Sequence, residues 1–496
     1  MAHTLRTRLL TPSALRSGAL TGVAQIVVAL SAAGAGALLA QKFGRTAETD
    51  GFLSAYGVYL VLVLAAQTLR LVVVPDLTRA RSEDRLAEEV DAYGVAFLAF
   101  AVPASLLVAL LSRPLGDAIT GSLPPVSAHV AGRALAILVP AAFLQLLAAL
   151  AASALAAQDS YGTAALGYAT GGIVGLVVFA AFADSHGIVA LAWGLAANGA
   201  VSLGVPAAKL LRRGLIGRRL PPSLGVLARL RHLLEGAAVP LALQGCYLLS
   251  LRFAAKLGVG SVTTFSYAYL AASTLVAATA FSLGIISSAP LTRRGIDAEA
   301  AGRHVVHAAW VSLSLVGAAA GVFALVGGRI VGFVLGDAYQ GQVGRQLGHL
   351  VVYLSPWMVA WVGFVVTFPL VFVAGRRRTL LPLAALGFLS CIPLGLGLRA
   401  LWGLPGIAIA VGLSTLLIAL GLLRAIASRS LAIAAVGLAR LALAVGGAAA
   451  LAFGGLALAL SPVLAAVAGV VVYGLVIVAL RSLGLSEAWA YVRGLH

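Results

Sequence analysis

The chain has 496 residues, of which 61% are hydrophobic and only 10% charged, with a formal net charge of +18. Soluble domains carry roughly 25% charged residues. Together with a mean hydropathy of +1.04, the composition excludes a soluble globular protein and implies many membrane spans.

Such spans must satisfy their own backbone, and long runs of Ala, Gly and Leu do so as helices rather than barrel strands. Fourteen apolar segments follow one another, at roughly 17–41, 51–75, 91–111, 131–157, 161–184, 187–210, 236–257, 261–289, 304–327, 347–374, 379–400, 404–423, 432–458 and 460–481. Arg6, Arg8 and Arg16 precede the first, which is long enough to be a retained span rather than a signal segment. Lys and Arg concentrate on alternate seams, about threefold over the opposite set. These include Arg79, Arg81 and Arg85, the stretch from Lys209 to Arg231, Arg293 and Arg294, Arg376 to Arg378, and Arg424 and Arg429. The bias predicts that both termini are cytoplasmic, and it accounts for the positive charge without nucleic acid.

The longest seam, 212–235, contains Pro221-Pro222 and reads as a cytoplasmic connector. Leu224 to Leu234 can alternatively lie on the membrane surface as an amphipathic helix. Cys246 and Cys391 both fall inside apolar runs, and two cysteines give no disulfide framework.

The sequence repeats itself without a gap at an offset of 214. Lys42 and Gly44 fall on Lys256 and Gly258, Thr49 on Thr263, and Leu77-Thr78-Arg79 on Leu291-Thr292-Arg293. Six spans lie within that offset, an even number, so the two copies share one orientation. The chain is then an all-α polytopic membrane protein of two parallel six-helix bundles plus two C-terminal helices. Residues 1–211 form the first bundle, 212–235 the basic linker, 236–424 the second bundle, and 425–496 the added helices and tail. This is the plan of a transporter that rocks between two faces. No phosphate loop, nucleophile motif or metal-spaced cluster stands in the sequence; His304 and His307 lack a third ligand. The chain reads as a non-enzyme with no cofactor.

Charges inside spans are the candidate functional residues, because each is costly in a bilayer and turns inward. Arg252 lies within the seventh span, on its outer half, and Lys256 follows four residues on, over the same face as Gly245 with Gln244 beside it. Two like charges one turn apart suit a shared phosphate or carboxylate; Lys256 at the interface with Arg252 snorkelling toward it is the alternative. Arg70 lies near the inner end of the second span. Glu48 and Asp50 open that span, where a carboxylate favours the positive helix end and Thr49 or Asp50 caps it. Asp50 can also be an ion site, or an outer gate with Arg45, Lys42 or another cation. Gln25, Gln67, Gln145, Tyr247, Tyr267 and Tyr269 are expected to hydrogen-bond between helices.

The stretch Lys42-Phe43-Gly44, Glu48-Thr49-Asp50-Gly51-Phe52 and Ala55-Tyr56 resembles the first outer loop and second helix of MurJ-type lipid II flippases, where Phe-Gly precedes Thr-Asp-x-Phe. Gly260-Ser261-Val262 through Phe265, Tyr267 and Ala268 looks similar in the second copy. With fourteen spans in a 6 + 6 + 2 order, the resemblance points to the multidrug/oligosaccharidyl-lipid/polysaccharide (MOP) exporter superfamily. That resemblance implies a multi-pass plasma-membrane protein that flips a polyprenyl-pyrophosphate glycan or peptidoglycan precursor. Cavity cations would hold the pyrophosphate, and the last two helices would form a groove for the tail. Asp50 matches the pattern directly. The family's cavity arginines do not: Tyr269 stands where one is expected, with Arg252, Lys256 and Arg70 as replacements. A monomer acting on a lipid-linked glycan, in contact with membrane lipids and with a coupling cation as a further partner, is the first expectation. A cation-coupled drug exporter of the same fold and a non-transporting envelope scaffold remain open.

Overall fold

The computed structural model describes residues 12–158, 160–217, 225–276, 298–373 and 376–480, and among them every regular element is helical. Among the described residues, eleven stretches can cross a membrane by length and composition, twelve if a bent pair counts as one span. The expected eighth span is described only over 261–276. Leu291-Thr292-Arg293, Pro221-Pro222, both termini and the side chains of Arg70, Gln67 and His304 lie outside the described residues.

The helices form two compact units, divided between Gln244 and Gly245. In the first, α1 is Pro12–Phe43, α2 Ala47–Ser82, α3 Leu86–Leu110, α4 Ser112–Thr120, α5 Pro125–Ala156, α6 Tyr161–His186 and α7 Ala190–Arg212. The hub is α5, 72% of whose span is buried against 22% for α1 and α3. Its Ala-rich surface lets α2, α3, α4 and α7 pack close around it. Gly51 of α2 lies against Ser127, where a Cβ would stand 2.2 Å from the carbonyl oxygen. The Ser127 hydroxyl donates to Ala47 O at 2.6 Å.

The pair α6–α7 is a hairpin built on small residues. A Cβ on Gly175 would meet Gly194 O at 2.7 Å, one on Gly171 would meet Asn198 O at 2.8 Å, and one on Gly167 would meet Ser202 O at 3.3 Å. Rising positions on one helix pair with falling ones on the other, so the chain reverses between them. Lipid offers no hydrophobic drive between helices, and close backbone approach takes its place. Gln145 Nε2 donates to Asn198 Oδ1 at 3.2 Å and Ser202 Oγ to the same oxygen at 3.0 Å, tying α5 to the hairpin as expected for Gln145.

The helix α8, Val226–Ala255, crosses the division. The second unit continues with α9 over 261–276, α10 Ala298–Leu335, α11 Gly341–Tyr353, α12 Ser355–Val373, α13 Leu380–Trp402, α14 Leu404–Ile426, α15 Ser428–Ala449 and α16 Pro462–Ala479. Its core includes Val305, Val366, Leu370, Leu423 and Ala434. A π-turn over Ala450–Gly454 follows α15 and aims Phe453 between Gly321 and Gly469. The Tyr473 hydroxyl of α16 donates to Ser314 O at 2.7 Å.

Several sequence-based boundaries change. The second and seventh helices run 47–82 and 226–255, longer than the expected 51–75 and 236–257, because their charged ends find partners beyond the apolar stretch. At 1.5 Å per residue, 36 residues reach about 54 Å, well past a hydrocarbon core of about 30 Å. The seam expected at 112–127 contains α4, packed on α5 through Gly116 and Gly132. The tenth expected span, 347–374, is two helices bent by 41°; Pro356 supplies no N–H to the helix and kinks it there.

The repeat is carried by the backbone. Gly44 and Gly258, 214 apart, both take positive φ, +58° and +104°. Helix begins again at 47 and at 261, the same offset. Each glycine ends one span with a left-handed residue so that the next can start within a few residues.

Candidate functional site

The outer turn of the first unit is built around Thr46. Its side chain, not that of Thr49 or Asp50, caps α2: Oγ1 accepts from Thr49 N at 3.2 Å, with Thr46 itself extended at φ −105°. Expecting the cap at 49 or 50 placed it a turn too late, because Ala47 and Glu48 already belong to the helix. Glu48 and Asp50 occupy the first turn, beside the helix's positive end. Asp50 is fully buried, and Ser54 Oγ donates to its carbonyl at 2.8 Å. Phe43 stacks on Phe179 at 6.5 Å, and Lys42 pairs with Asp184 at 2.5 Å. Lys42 is therefore held by α6, a partner the sequence reading did not consider. Arg45 stands in the turn between the two helices.

In the second unit the equivalent turn is different. Arg252 lies in the last turn of α8 and Lys256 just beyond its end, both exposed. The position of Asp50 is taken by Thr264, also fully buried, whose hydroxyl donates to Gly260 O at 2.7 Å. Gln244, in the first unit, is 2% exposed and its Oε1 has no hydrogen-bond partner. Tyr269 stands in a run of aromatic rings: it stacks on Tyr247 at 4.1 Å and leans on Trp357 at 4.6 Å, and the run continues through Trp361, Phe364 and Phe368. The Tyr247 hydroxyl and Ser266 Oγ are 3.4 Å apart.

Elsewhere in the second unit, α10, α12, α15 and the π-turn line a half-open cavity of about 410 Å³. Gly317, Gly321, Gly446 and Gly454 hollow it out, and Phe453 forms one wall. Among its lining residues the side-chain polar group is the hydroxyl of Ser355, which has no hydrogen-bond partner. Nothing in hydropathy marks this cavity, since its walls read as ordinary span.

Sequence reasoning also missed a charged cluster at the opposite end of the first unit. Arg229, in the first turn of α8, grips Glu89 of α3 through Nε and Nη2 at 3.1 and 2.8 Å and lies 5.5 Å over the Tyr93 ring. Tyr93 donates to Asp76 Oδ2 at 2.8 Å, and His232 Nε2 stands 3.6 Å from that oxygen. Residues 226–235, read as a connector or surface helix, are thus the docked start of a spanning helix. Their signal was the mixture of acids among the basic seams, which topology counts pass over.

No protein-family model matches the chain, and no curated sequence does. Solved structures match in shape. The lipid II flippase MurJ in an inward closed conformation superposes with a TM-score of 0.72 at 14% identity, over 94% of this chain and 99% of that one. An inward-facing multidrug resistance MATE family transporter of the MOP superfamily gives 0.63 at 16%, over 84% and 94%. A eukaryotic MATE transporter gives 0.56 at 15%, over 86% and 99%. With its many apolar spans, the chain is a multi-pass membrane protein that has the fold of the MOP-superfamily transporters.

Proposed function

We propose that the protein is a transporter that moves a lipid-linked oligosaccharide or peptidoglycan precursor, carried on polyprenyl pyrophosphate, to the outer leaflet of the plasma membrane by alternating access. The observation that carries this reading is the apolar cavity against α15, which offers an isoprenoid or acyl chain a lining of Gly, Ala, Val, Leu and Phe. A cationic drug would need a carboxylate there, and that lining holds none. Arg252 and Lys256, four residues apart and both exposed, supply two cations for the pyrophosphate. Charge-assisted hydrogen bonds of this kind contribute about 1.5–3 kcal/mol each. The likeness to a lipid II flippase supports the same class.

A second reading rests on Asp50. It is a fully buried carboxylate at a span's end, a position that suits a proton or coupling cation in an exporter of small molecules. The two separate in binding experiments on the purified chain. On the first reading a polyprenyl-pyrophosphate disaccharide binds saturably, and Arg252→Ala with Lys256→Ala weakens it at least about tenfold. Unchanged binding in that variant, with saturable uptake of a cationic dye that Asp50→Asn abolishes, selects the exporter instead.

A further inference from the structure

The chain has two cysteines in 496 residues, 145 positions apart in sequence, and the fold brings them to one helix crossing. Cys246 of α8 directs its Sγ at Gly387 O of α13, 3.7 Å away, and Cys391 of α13 directs its Sγ at Cys246 O, 3.8 Å away. Standard bond lengths then place the Cys391 sulfur within about 6 Å of the Cys246 Cα. Both residues are fully buried and both thiols are free. At this level the Phe388 ring sits over Gly245 and, two turns on, Phe253 sits over Gly395, each ring filling the notch the glycine leaves. At each of these glycines a Cβ would meet the opposing ring at under 3 Å.

Two scattered small residues have no packing reason to coincide as the same reactive type. Each thiol donates a weak S–H···O hydrogen bond to a backbone carbonyl, so little is lost when both protons leave. A disulfide requires Cα atoms about 4.4–6.8 Å apart and a sulfur–sulfur bond near 2.05 Å, a spacing that two thiols, each resting against backbone of the opposite helix, approach by side-chain rotation. From this juxtaposition we propose that Cys246 and Cys391 form a reversible redox couple that fastens α8 to α13 within the second unit.

The reaction breaks two S–H bonds and forms one S–S bond, releasing two protons and two electrons. An oxidant dissolved in the bilayer accepts them. A lipid or other organic hydroperoxide is the fitting class, because its O–O bond is cleaved and the products are the corresponding alcohol and water. Water-soluble oxidants reach the pair slowly, since both cysteines are fully buried among apolar helices. The bond closes a long loop through the second unit and so restricts its unfolded chain. The inference does not depend on which substrate is transported.

The experiment uses the full-length chain in detergent micelles or liposomes, treated with cumene hydroperoxide and, separately, with the membrane-permeant thiol oxidant diamide. Thiols are then alkylated after unfolding, and the intact mass and the digest are measured. The expected result is that both alkylatable thiols disappear together and the mass falls by two hydrogens. A digest then yields a linked 246–391 peptide, a phosphine reductant restores both thiols, and the oxidised chain unfolds at a higher temperature. Cys391→Ala, treated in the same way, shows no two-hydrogen loss and no thermal shift. Two results overturn the proposal: both thiols remain alkylatable after oxidant, or each gains oxygen separately without a linked peptide. A linked peptide that forms only above the unfolding temperature also overturns it.

Discussion

Asp50 shows how much a single side chain's surroundings decide. Its place in the first turn of α2 gives any carboxylate there about 0.3–1 kcal/mol from the helix end. Its complete burial adds a cost that an ordinary helix terminus does not require, since Thr46 already caps the helix. Asp50→Asn keeps the shape and removes the charge. We expect it to leave thermal unfolding within about 1 kcal/mol of the parent while abolishing any pH or cation dependence of transport. Unaltered dependence reduces Asp50 to a terminus residue. Thr46→Ala tests the cap in isolation and is expected to cost about 1 kcal/mol in a thermal or denaturant titration, with Thr46→Ser restoring most of it. Gly51→Ala is expected to cost more than Thr46→Ala, about 1–3 kcal/mol, because its new methyl meets backbone of α5 rather than a movable side chain.

Between elements, the two units are held by different devices. The α6–α7 hairpin depends on backbone approach at Gly171 and Gly175. Replacing Gly171 with Leu is expected to separate the hairpin and to expose Asn198 and Ser202 to lipid; loss of folded yield on size-exclusion chromatography, with Gly171→Ala milder than Gly171→Leu, is the measurable outcome. In the second unit a large ring fills a notch instead. Phe453→Ala empties the space between Gly321 and Gly469 and is expected to cost about 3 kcal/mol, and to enlarge the neighbouring cavity that Phe453 lines. At the other end of the first unit, the Arg229–Glu89 pair is partly buried, with side chains 17% and 22% exposed. A double-mutant cycle with Arg229→Ala and Glu89→Gln is expected to give a coupling of about 1 kcal/mol that shrinks with added salt.

At the scale of the molecule, the first unit's contacts sort its loops into two ends. Lys42 with Asp184 and Ala47 with Ser127 gather residues near 42–47, 127 and 184 at one end. Arg81 bonds Ala157 O at 2.5 Å, and Arg213 bonds Gln158 at 2.5 Å, gathering those residues at the other. Single cysteines at Arg45 and Ser122, in a chain with Cys246 and Cys391 replaced by Ala, are expected to react with an impermeant maleimide from one side of the membrane. Cysteines at Asp84 and Arg213 are expected to react only from the other. Labelling of Arg45 and Asp84 from the same side contradicts the fold.

The amino-acid sequence by itself determined that the chain is helical, that it crosses a membrane many times, and that it repeats at 214 residues. These follow from one-dimensional quantities: segment hydropathy, Lys and Arg placement, and the Lys-x-Gly turns whose glycine takes positive φ in both copies. It also put Asp50 and Glu48 at a helix start, since helix-terminus chemistry is local. Only the tertiary structure decided that Asp50 is buried, that Lys42 belongs to Asp184, that Arg229 grips Glu89, and that Tyr269 stands in a run of rings rather than alone. It alone made α5 the hub and placed a cavity against α15. The physical reason lies in the solvent. In water, the polar face of a helix reveals by contrast which face is packed. In lipid both the packed and the exposed faces are apolar, so periodicity is silent about which is which, and small residues, kinks and ring contacts choose the neighbours.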